Sequence, residues 1–477
     1  MNKYRIALTI IASAMTFGTI HADVVTLDSC RSMALKNNKV LRIAEENIKA
    51  AHYTRSAARA AYLPGLDFTA GYMYNQRQIE LLGADAMLPT MSYNASTGKY
   101  EYNLLTQGGR PVVDPATGKP VPSEVAVIPK EAMSYDTHNV IAGAVTLTQP
   151  IYMGGQIRAL NKIAHYGEQM AQSLHEQAIQ DVTYSVDEAY WLVISLVEKQ
   201  KLAKSFVGLV DSLRTNVKAM LDEGVATRSD LLTVEVKYNE ASLALTKVEN
   251  GLTLSRMALA QVCGIPVDSP MTLADEVAHT SPSSIPDAFD SSMSEVYTRR
   301  HDLTALRQSI SMLEGREKLE MSAMLPKLAA MGAYSFSNPN VNHGFEKKFG
   351  GGFSVGVTLT VPIWHWGGNY NKLRAARANT AAQRLLLADM EEKVDLQVSQ
   401  ARYSYQEAFK TYDMTEANLR SAQENLNNAE TGFHEGVLTA DDVTAAQTAW
   451  LKANSELIDA EIAIRLCDAY LSKVMGL

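Results

Sequence analysis

Cysteine is scarce in this chain of 477 residues: Cys30, Cys263 and Cys467 are all it has. So few, so far apart in sequence, make no disulfide framework, and they read as small buried apolar residues. Basic charge is also short, with 44 Lys and Arg against 52 Asp and Glu and a net charge of −8. That balance argues against nucleic acid as the main partner. Beyond the first 22 residues no run approaches 18 apolar residues, so no membrane-spanning helix is expected. His and Cys never cluster at metal-ligand spacing. His434-Glu435 lacks a His three residues further on and is not the zinc-protease pattern. Gly350-Gly351-Gly352 precedes a strand pattern rather than a helix, which makes a poor phosphate loop. No set of polar residues converges as a catalytic site would require, so neither an enzyme nor a cofactor is expected.

The start of the chain reads as a secretory signal. Lys3 and Arg5 form a charged beginning, Ile6 to Ile20 is mostly apolar but short for a span, and Ala22 offers a cleavage point. Its removal leaves 42 basic against 52 acidic residues, near −10. No Cys follows the cleavage point directly, so a lipid anchor there is not expected.

What the chain does have is one architecture written twice. Leu63-Pro64 matches Leu325-Pro326, 262 residues on. Downstream the shift becomes 212: Gln149-Pro150-Ile151 matches Val361-Pro362-Ile363, Glu223-Gly224-Val225 matches Glu435-Gly436-Val437, and Asp230 matches Asp442. The difference of 50 residues is a single insertion between about 75 and 138. The expected organisation is a first repeat over 23–263, a Pro- and Ser-containing connector over 264–292, and a second repeat over 293–477.

Each repeat combines two kinds of periodicity. Val182, Ala189, Leu196, Ala203, Val210 and Val217 recur at steps of seven, with a second row at Val186, Val193, Val207 and Leu221. Val394, Ala401, Ala408, Ala422 and Ala429 repeat the first row, and Val398, Tyr405, Tyr412, Leu419, Leu426 and Phe433 the second. Sustained heptads predict coiled-coil helices, each roughly 100 Å long at 1.5 Å per residue. Each ends at a turn, near 222–230 or 434–442, and returns as a shorter helix over about 227–263 or 439–474. Opening helices at 27–61 and 293–324 supply the missing length.

Four segments of about ten residues alternate with period two. Phe353, Val355, Val357, Leu359 and Val361 alternate with polar or small residues. The same holds for Leu66, Phe68, Ala70, Tyr72 and Tyr74, for Leu328, Ala330, Gly332, Tyr334 and Phe336, and more weakly for Ile141, Gly143, Val145 and Leu147. Such lengths suit tilted strands crossing a bilayer. A long loop at 75–137 joins the first two strands and a short one at 337–352 the last two. Four strands cannot close a barrel, and lipid does not tolerate open edges, so several copies must share one. The expected fold is therefore mainly α with a small transmembrane β part, a tandem repeat of long helical hairpins plus four strands.

These features together resemble the TolC-type outer membrane efflux factor family. The resemblance covers about 27–477. It is carried by the tandem halves, by the turns Glu223–Asp230 and Glu435–Asp442, and by the junctions Pro150-Ile151-Tyr152-Met153-Gly154-Gly155 and Pro362-Ile363-Trp364-His365-Trp366-Gly367-Gly368. It implies a homotrimer with a shared twelve-strand barrel in outer membrane lipid and a long periplasmic tunnel of twelve helices. The partners it implies are a periplasmic adaptor and an inner-membrane transporter such as an RND or ABC pump. The function it implies is an exit duct for drugs, toxic compounds or exported proteins.

The resemblance also distributes roles. Gly224, Val225, Gly436, Val437 and Leu438 fall on the tips implied to dock the adaptor, although Gly is also what a helix C-terminus needs. Thr227-x-x-Asp230 and Thr439-x-x-Asp442 resemble capping boxes. The resemblance gives Asp442 a second role, in an acidic ring that narrows a shared pore. Asp441 lies beside it, and Asp230 matches the family's inter-hairpin gate partner. Leu438 stands where some relatives have an Arg that pairs with this acid, which puts the ionic lock in doubt. Arg228 is a candidate substitute. Trp364 and Trp366 suit a membrane interface. The competing expectation is a periplasmic coiled-coil scaffold or adaptor without a pore, for which the four strands would have no use.

Overall fold

The computed structural model describes residues 24–276 and 292–477. The signal segment lies outside the described residues, as do Pro282 and Pro286 of the connector. The chain divides into two compact units. One takes in residues up to Arg55, Lys162–Arg316 and Arg374–Leu477, and the other Ser56–Asn161 and Glu317–Leu373.

The helices are α1 (Leu27–Asn37), α2 (Lys39–Ala60), α3 (Gln156–Asp222), α4 (Arg228–Cys263), α5 (Met293–Arg299), α6 (His301–Ser322), α7 (Gly368–His434) and α8 (Ala440–Val474). Helices α3 and α7 each run for 67 residues. Their heptad rows face inward: Val182, Val186, Val193, Val210 and Val217 are buried on α3, and Val394, Val398, Ala401, Tyr405 and Leu426 on α7. Near the turns the two hairpins share one core. Phe206, Val210 and Val217 meet Val234 of α4, Leu426 and Phe433 of α7, and Val443 of α8.

The opening helices differ from the expectation. Each is broken, α1 from α2 at Asn38 and α5 from α6 at Arg300, both with extended backbone. The reason is the same in each half. Asn38 Nδ2 donates to the Val262 carbonyl at 2.8 Å, at the C-terminal end of α4. Arg300 donates from its guanidinium to the Val474 carbonyl at 3.1 Å, at the end of α8. The last carbonyls of a helix have no partner within it, and these side chains supply one. Next to them Gly264 and Gly476 take φ of 72° and 75°. A Cβ there would stand 2.7 Å from Asn37 backbone or 3.0 Å from that of Arg299, so the opening helix abuts the returning one. Around these seams Leu41, Val186 and Leu259 pack in the first half, and Leu303, Val398 and Leu471 in the second.

In the second unit four strands form one antiparallel sheet: β1 (Gly65–Tyr74), β2 (Asn139–Tyr152), β3 (Lys327–Asn338) and β4 (Gly350–Thr360). The spatial order is β4-β3-β2-β1, which leaves β1 and β4 as edges. Register puts Val145 beside both Phe68 and Tyr334, and Tyr334 beside Phe353. The apolar alternations of all four strands therefore fall on one face. The other face carries Asp67, Thr69, Thr146, Thr148, Ser335, Ser354 and Thr358. Glycine seats the aromatic rings on the apolar face: a Cβ at Gly143 would lie 2.5 Å from the Phe336 ring.

The insertion at 75–137 is more ordered than a loop. It continues the β1–β2 hairpin as short antiparallel pairs, 79–80 with 134–135 and 86–89 with 125–128. Smaller hairpins, 91–94 with 99–102 and 106–107 with 110–111, lie farther along. The 337–352 connection packs against the root of this arm through Tyr135 and Phe345, ring centroids 5.1 Å apart, and through an ion pair of Lys347 with Asp136.

The two strand-to-helix junctions reveal one mismatch between the halves. Gly154 has φ 63° and Gly155 φ 84°. At a shift of 212 their counterparts are Trp366, with φ 49°, and Gly367, with φ 75°. A tryptophan thus occupies the left-handed backbone that glycine fills in the first half. We expect Gly154→Ala to lower the stability of the purified protein, by roughly 1–2 kcal/mol for the left-handed backbone alone. Its Cβ would also stand 2.8 Å from the Ser322 carbonyl oxygen. Trp366→Gly is expected to cause no loss, because the ring is 87% exposed and the backbone relaxes. Thermal unfolding in detergent checks both, and a comparable loss in the two variants would contradict this account.

Candidate functional site

The two hairpin tips agree bond for bond. After α3, Gly224 takes φ 78°, its N–H donates to Leu221 O at 3.0 Å, and Val225 N–H donates to Met220 O at 2.8 Å. After α7, Gly436 takes φ 73°, its N–H donates to Phe433 O at 3.1 Å, and Val437 N–H donates to Gly432 O at 2.8 Å. This double closure satisfies the last carbonyls of a helix, and only glycine takes the central backbone freely.

The return helices start alike. Thr227 N–H donates to Asp230 Oδ2 at 2.8 Å, and Asp230 N–H to Thr227 Oγ1 at 3.2 Å. Thr439 N–H donates to Asp442 Oδ2 at 2.9 Å, and Asp442 N–H to Thr439 Oγ1 at 3.3 Å. Both are complete capping boxes. The threonine hydroxyls also donate to Oδ2, at 2.8 and 2.7 Å. The bonds that each carboxylate accepts all land on Oδ2, so Oδ1 accepts none among the described residues. Capping therefore fixes each carboxylate without consuming its charge.

The other tip residues are exposed. Val225 and Val437 show 72% and 79% of their surface, an unusual display for valine at a turn. Arg228 opens α4 and makes no ion pair among the described residues, so nothing here joins it to a tip acid. Asp441 is likewise exposed. Leu438 folds back over its own hairpin, where a Cβ on Gly432 would meet its side chain at 2.7 Å. Their first-half counterparts are Ala226 and Met220, so the large and small partners are exchanged between the tips.

Trp364 and Trp366 are exposed, with ring centroids 5.9 Å apart in an edge-to-face arrangement. Ile363 beside them is 90% exposed. Among the described residues no group of three or more His, Cys, Asp or Glu could hold a metal ion, and no helix is long and apolar enough to cross a membrane. Two buried carboxylates with long-range partners leave no sign in the sequence pattern. Asp187 of α3 takes both forks of Arg31, each at 2.7 Å, and Glu168 of α3 takes Arg55 and His52 of α2. A fork-to-carboxylate pairing between α1 and α3 leaves no local spacing to read.

Hydrogen bonds from Thr439, and for Asp230 those from the Thr227 backbone first, hold both tip carboxyls below the ordinary aspartate value of 3.8. A carboxyl lowered on folding adds stability above its unfolded value, and that stability is lost as pH falls through the folded value. The caps should hold from neutral pH down to 3.8 and open only below it. Hydrogen exchange of peptides spanning 222–230 and 434–442, corrected for intrinsic rates, checks this. Opening already well above 3.8 would show that the caps are not what closes the tips.

Comparison with known proteins agrees with this geometry. A family model described as outer membrane efflux protein matches residues 30–265 and 293–477. Outer membrane protein TolC of Vibrio cholerae is 23% identical over 350 residues, 71% of this chain and 77% of that protein. The Campylobacter jejuni CmeC outer membrane channel superposes with a TM-score of 0.70 at 15% identity, covering 100% of this chain and 94% of that one. The open state of the Neisseria gonorrhoeae MtrE outer membrane channel gives 0.68 at 18% identity, covering 94% and 88%. With its tandem helical hairpins, one-faced sheet and outer membrane location, this chain belongs to the outer membrane efflux protein family, a family of channels and not of enzymes.

Proposed function

We propose that this efflux channel is the exit duct of a tripartite efflux or type I secretion system. It works as a homotrimer, docks its hairpin tips onto a periplasmic adaptor, and receives cargo from an inner-membrane transporter such as an RND or ABC pump. Drugs, toxic compounds or exported proteins are the cargo classes. The observation that supports this most is the open sheet. It has one apolar face for lipid, one polar face for a lumen, and two unpaired edges. Edges β1 and β4 run in opposite directions, so β4 of one copy meets β1 of the next in antiparallel pairing. Three copies then give twelve strands and no edge.

The helices support the same assembly. Leu232, Val236, Leu243 and Leu254 of α4 are exposed, as are Leu385, Leu396, Tyr403 and Met414 of α7. Such stripes on single-chain coiled-coil helices are unfinished seams, and neighbouring copies finish them. Exposed Val225 and Val437 give the tips an apolar surface for the adaptor. Trp364 and Trp366 lie at a membrane interface in this reading.

Asp442 lines the pore constriction, one carboxylate per copy, with Asp441 adding to the acidic ring and Asp230 and Arg228 at the gate beside it. The cap geometry allows a clean separation of this role from a structural one. Asp442→Asn keeps an acceptor for the Thr439 N–H but removes the charge. Thr439→Ala cuts the cap but keeps the charge. In planar bilayers, purified wild type should form discrete cation-selective channels. Asp442→Asn should reduce cation selectivity, and Thr439→Ala should leave it. Equal effects would reduce Asp442 to a cap. An absence of channels from folded, membrane-extracted protein would overturn the duct.

A further inference from the structure

Two of the three cysteines, distant in sequence, meet in the fold. Cys30 lies in the first turn of α1 and Cys263 is the last residue of α4, 233 positions apart. Both are 0% exposed within the core that joins these helices. Cys263 Sγ–H donates to the Cys30 carbonyl oxygen at 3.7 Å, which sets the two buried cysteines side by side. The contact is held in place from both sides. Asn38 bonds the Val262 carbonyl next to Cys263, and Arg31 next to Cys30 grips Asp187. The parallel pairing of Val24–Val25 with Thr272–Leu273 fixes the chain just before α1 and just after α4.

The second half shows that the seam does not need cysteine. At the two repeat shifts, Cys30 corresponds to Ser292 and Cys263 to Met475. There one buried methionine fills the space, fully enclosed, while Ser292 is exposed. A pair of facing sulfurs therefore occurs in one half only. An outer membrane protein passes through an oxidising compartment, where facing thiols become disulfides.

We propose that Cys30 and Cys263 form a disulfide that staples the N-terminal helix to the end of the first hairpin. The reaction is thiol–disulfide exchange with a protein disulfide donor. One cysteine thiolate attacks the donor disulfide and gives a mixed disulfide and one donor thiol. The second cysteine displaces the other donor sulfur. The S–S bond formed takes the place of two S–H bonds, and the two electrons and two protons leave with the donor as two thiols. In the folded chain neither sulfur is accessible, and the proton on Cys30 is held tightly, by the bond to Cys263 and then by burial. The exchange therefore precedes the seating of α1, and the staple once buried resists reductants. Closing so long a loop restrains the unfolded chain more than a short one would. Cys467, half buried on α8, has no such neighbour and stays a thiol.

The test is a thiol census on the wild-type protein in cells. Cells are quenched with acid, and the protein is denatured without reductant and treated with a maleimide. One reactive thiol per chain, Cys467, with peptides of Cys30 and Cys263 linked until reduction, is the expected result. Three reactive thiols, or a link that involves Cys467, would overturn the proposal. Cys30→Ser should raise the census to two by freeing Cys263. Reductant applied under denaturing conditions should slow refolding of wild type but not of Cys30→Ser/Cys263→Ser. Equal refolding of wild type with and without reductant would also count against a staple.

Discussion

A peptide group in hydrocarbon has no water to bond, and this constraint governs the β part of the molecule. Every strand amide must find another strand. The four strands of one chain satisfy three seams among themselves and leave two edges. Nothing within the chain covers those edges among the described residues, since β1 is exposed along all ten of its positions and β4 along nearly all. The apolar row from Leu66 to Leu359 has the same meaning, because a face carrying Phe68, Tyr334 and Phe353 beside Val145 has no place in water. The sheet is one part of a larger closed surface, and the exposed stripes on α4 and α7 suit the same incompleteness.

Within the helical unit the governing problem is the helix end. A long antiparallel hairpin has its carbonyls unmet wherever it stops. This chain meets the need in the same way in both halves, with a Schellman turn at Gly224 and Gly436 and a side-chain donor, Asn38 or Arg300, at the far ends of α4 and α8. The donors differ in chemistry, a neutral amide in one half and a guanidinium in the other. Arg300 is further gripped by Asp302 at 2.6 Å, which orients it toward Val474. Geometry has been kept across the duplication while residue identity has drifted.

That drift explains what the sequence disclosed and what it concealed. Helix and strand patterns were legible because burial acts on every second residue of a half-buried strand and on regular heptad positions of a coiled coil. The tip caps were legible because Thr-x-x-Asp and the preceding Gly act on neighbours in sequence. The breaks at Asn38 and Arg300 were not, since their cause lies at Val262 and Val474, more than 170 positions away. The meeting of Cys30 with Cys263 is hidden for the same reason, since 233 positions of sequence separate residues that the fold brings together. The arm at 75–137 reads as a loop in sequence because its paired stretches are only two to four residues long. Such short pieces leave no period to detect.

The tips show how identity can change while packing stays fixed. In the first half Met220 supplies the bulk and Ala226 leaves room. In the second, Gly432 leaves room and Leu438 supplies the bulk. A leucine at 438 is therefore more than the absence of an arginine. It fills the space its own hairpin leaves at Gly432, and a longer polar side chain would leave that space empty. The exchange ties the character of the second tip to its own packing. Leu438 turns toward its own hairpin, and the charged residues of the two turns are Glu223, Arg228 and Asp230 in the first and Glu435, Asp441 and Asp442 in the second. In the proposed assembly, a closing force between tips of different copies would come from these charged residues and from exposed Val225 and Val437. Carboxylates in proximity repel one another, so the proposed ring of Asp442 side chains would favour closure only with cations between them. On that proposal, cations at the constriction would themselves be part of the gate, since Leu438 offers no charge for an ion pair with an acid of the other tip.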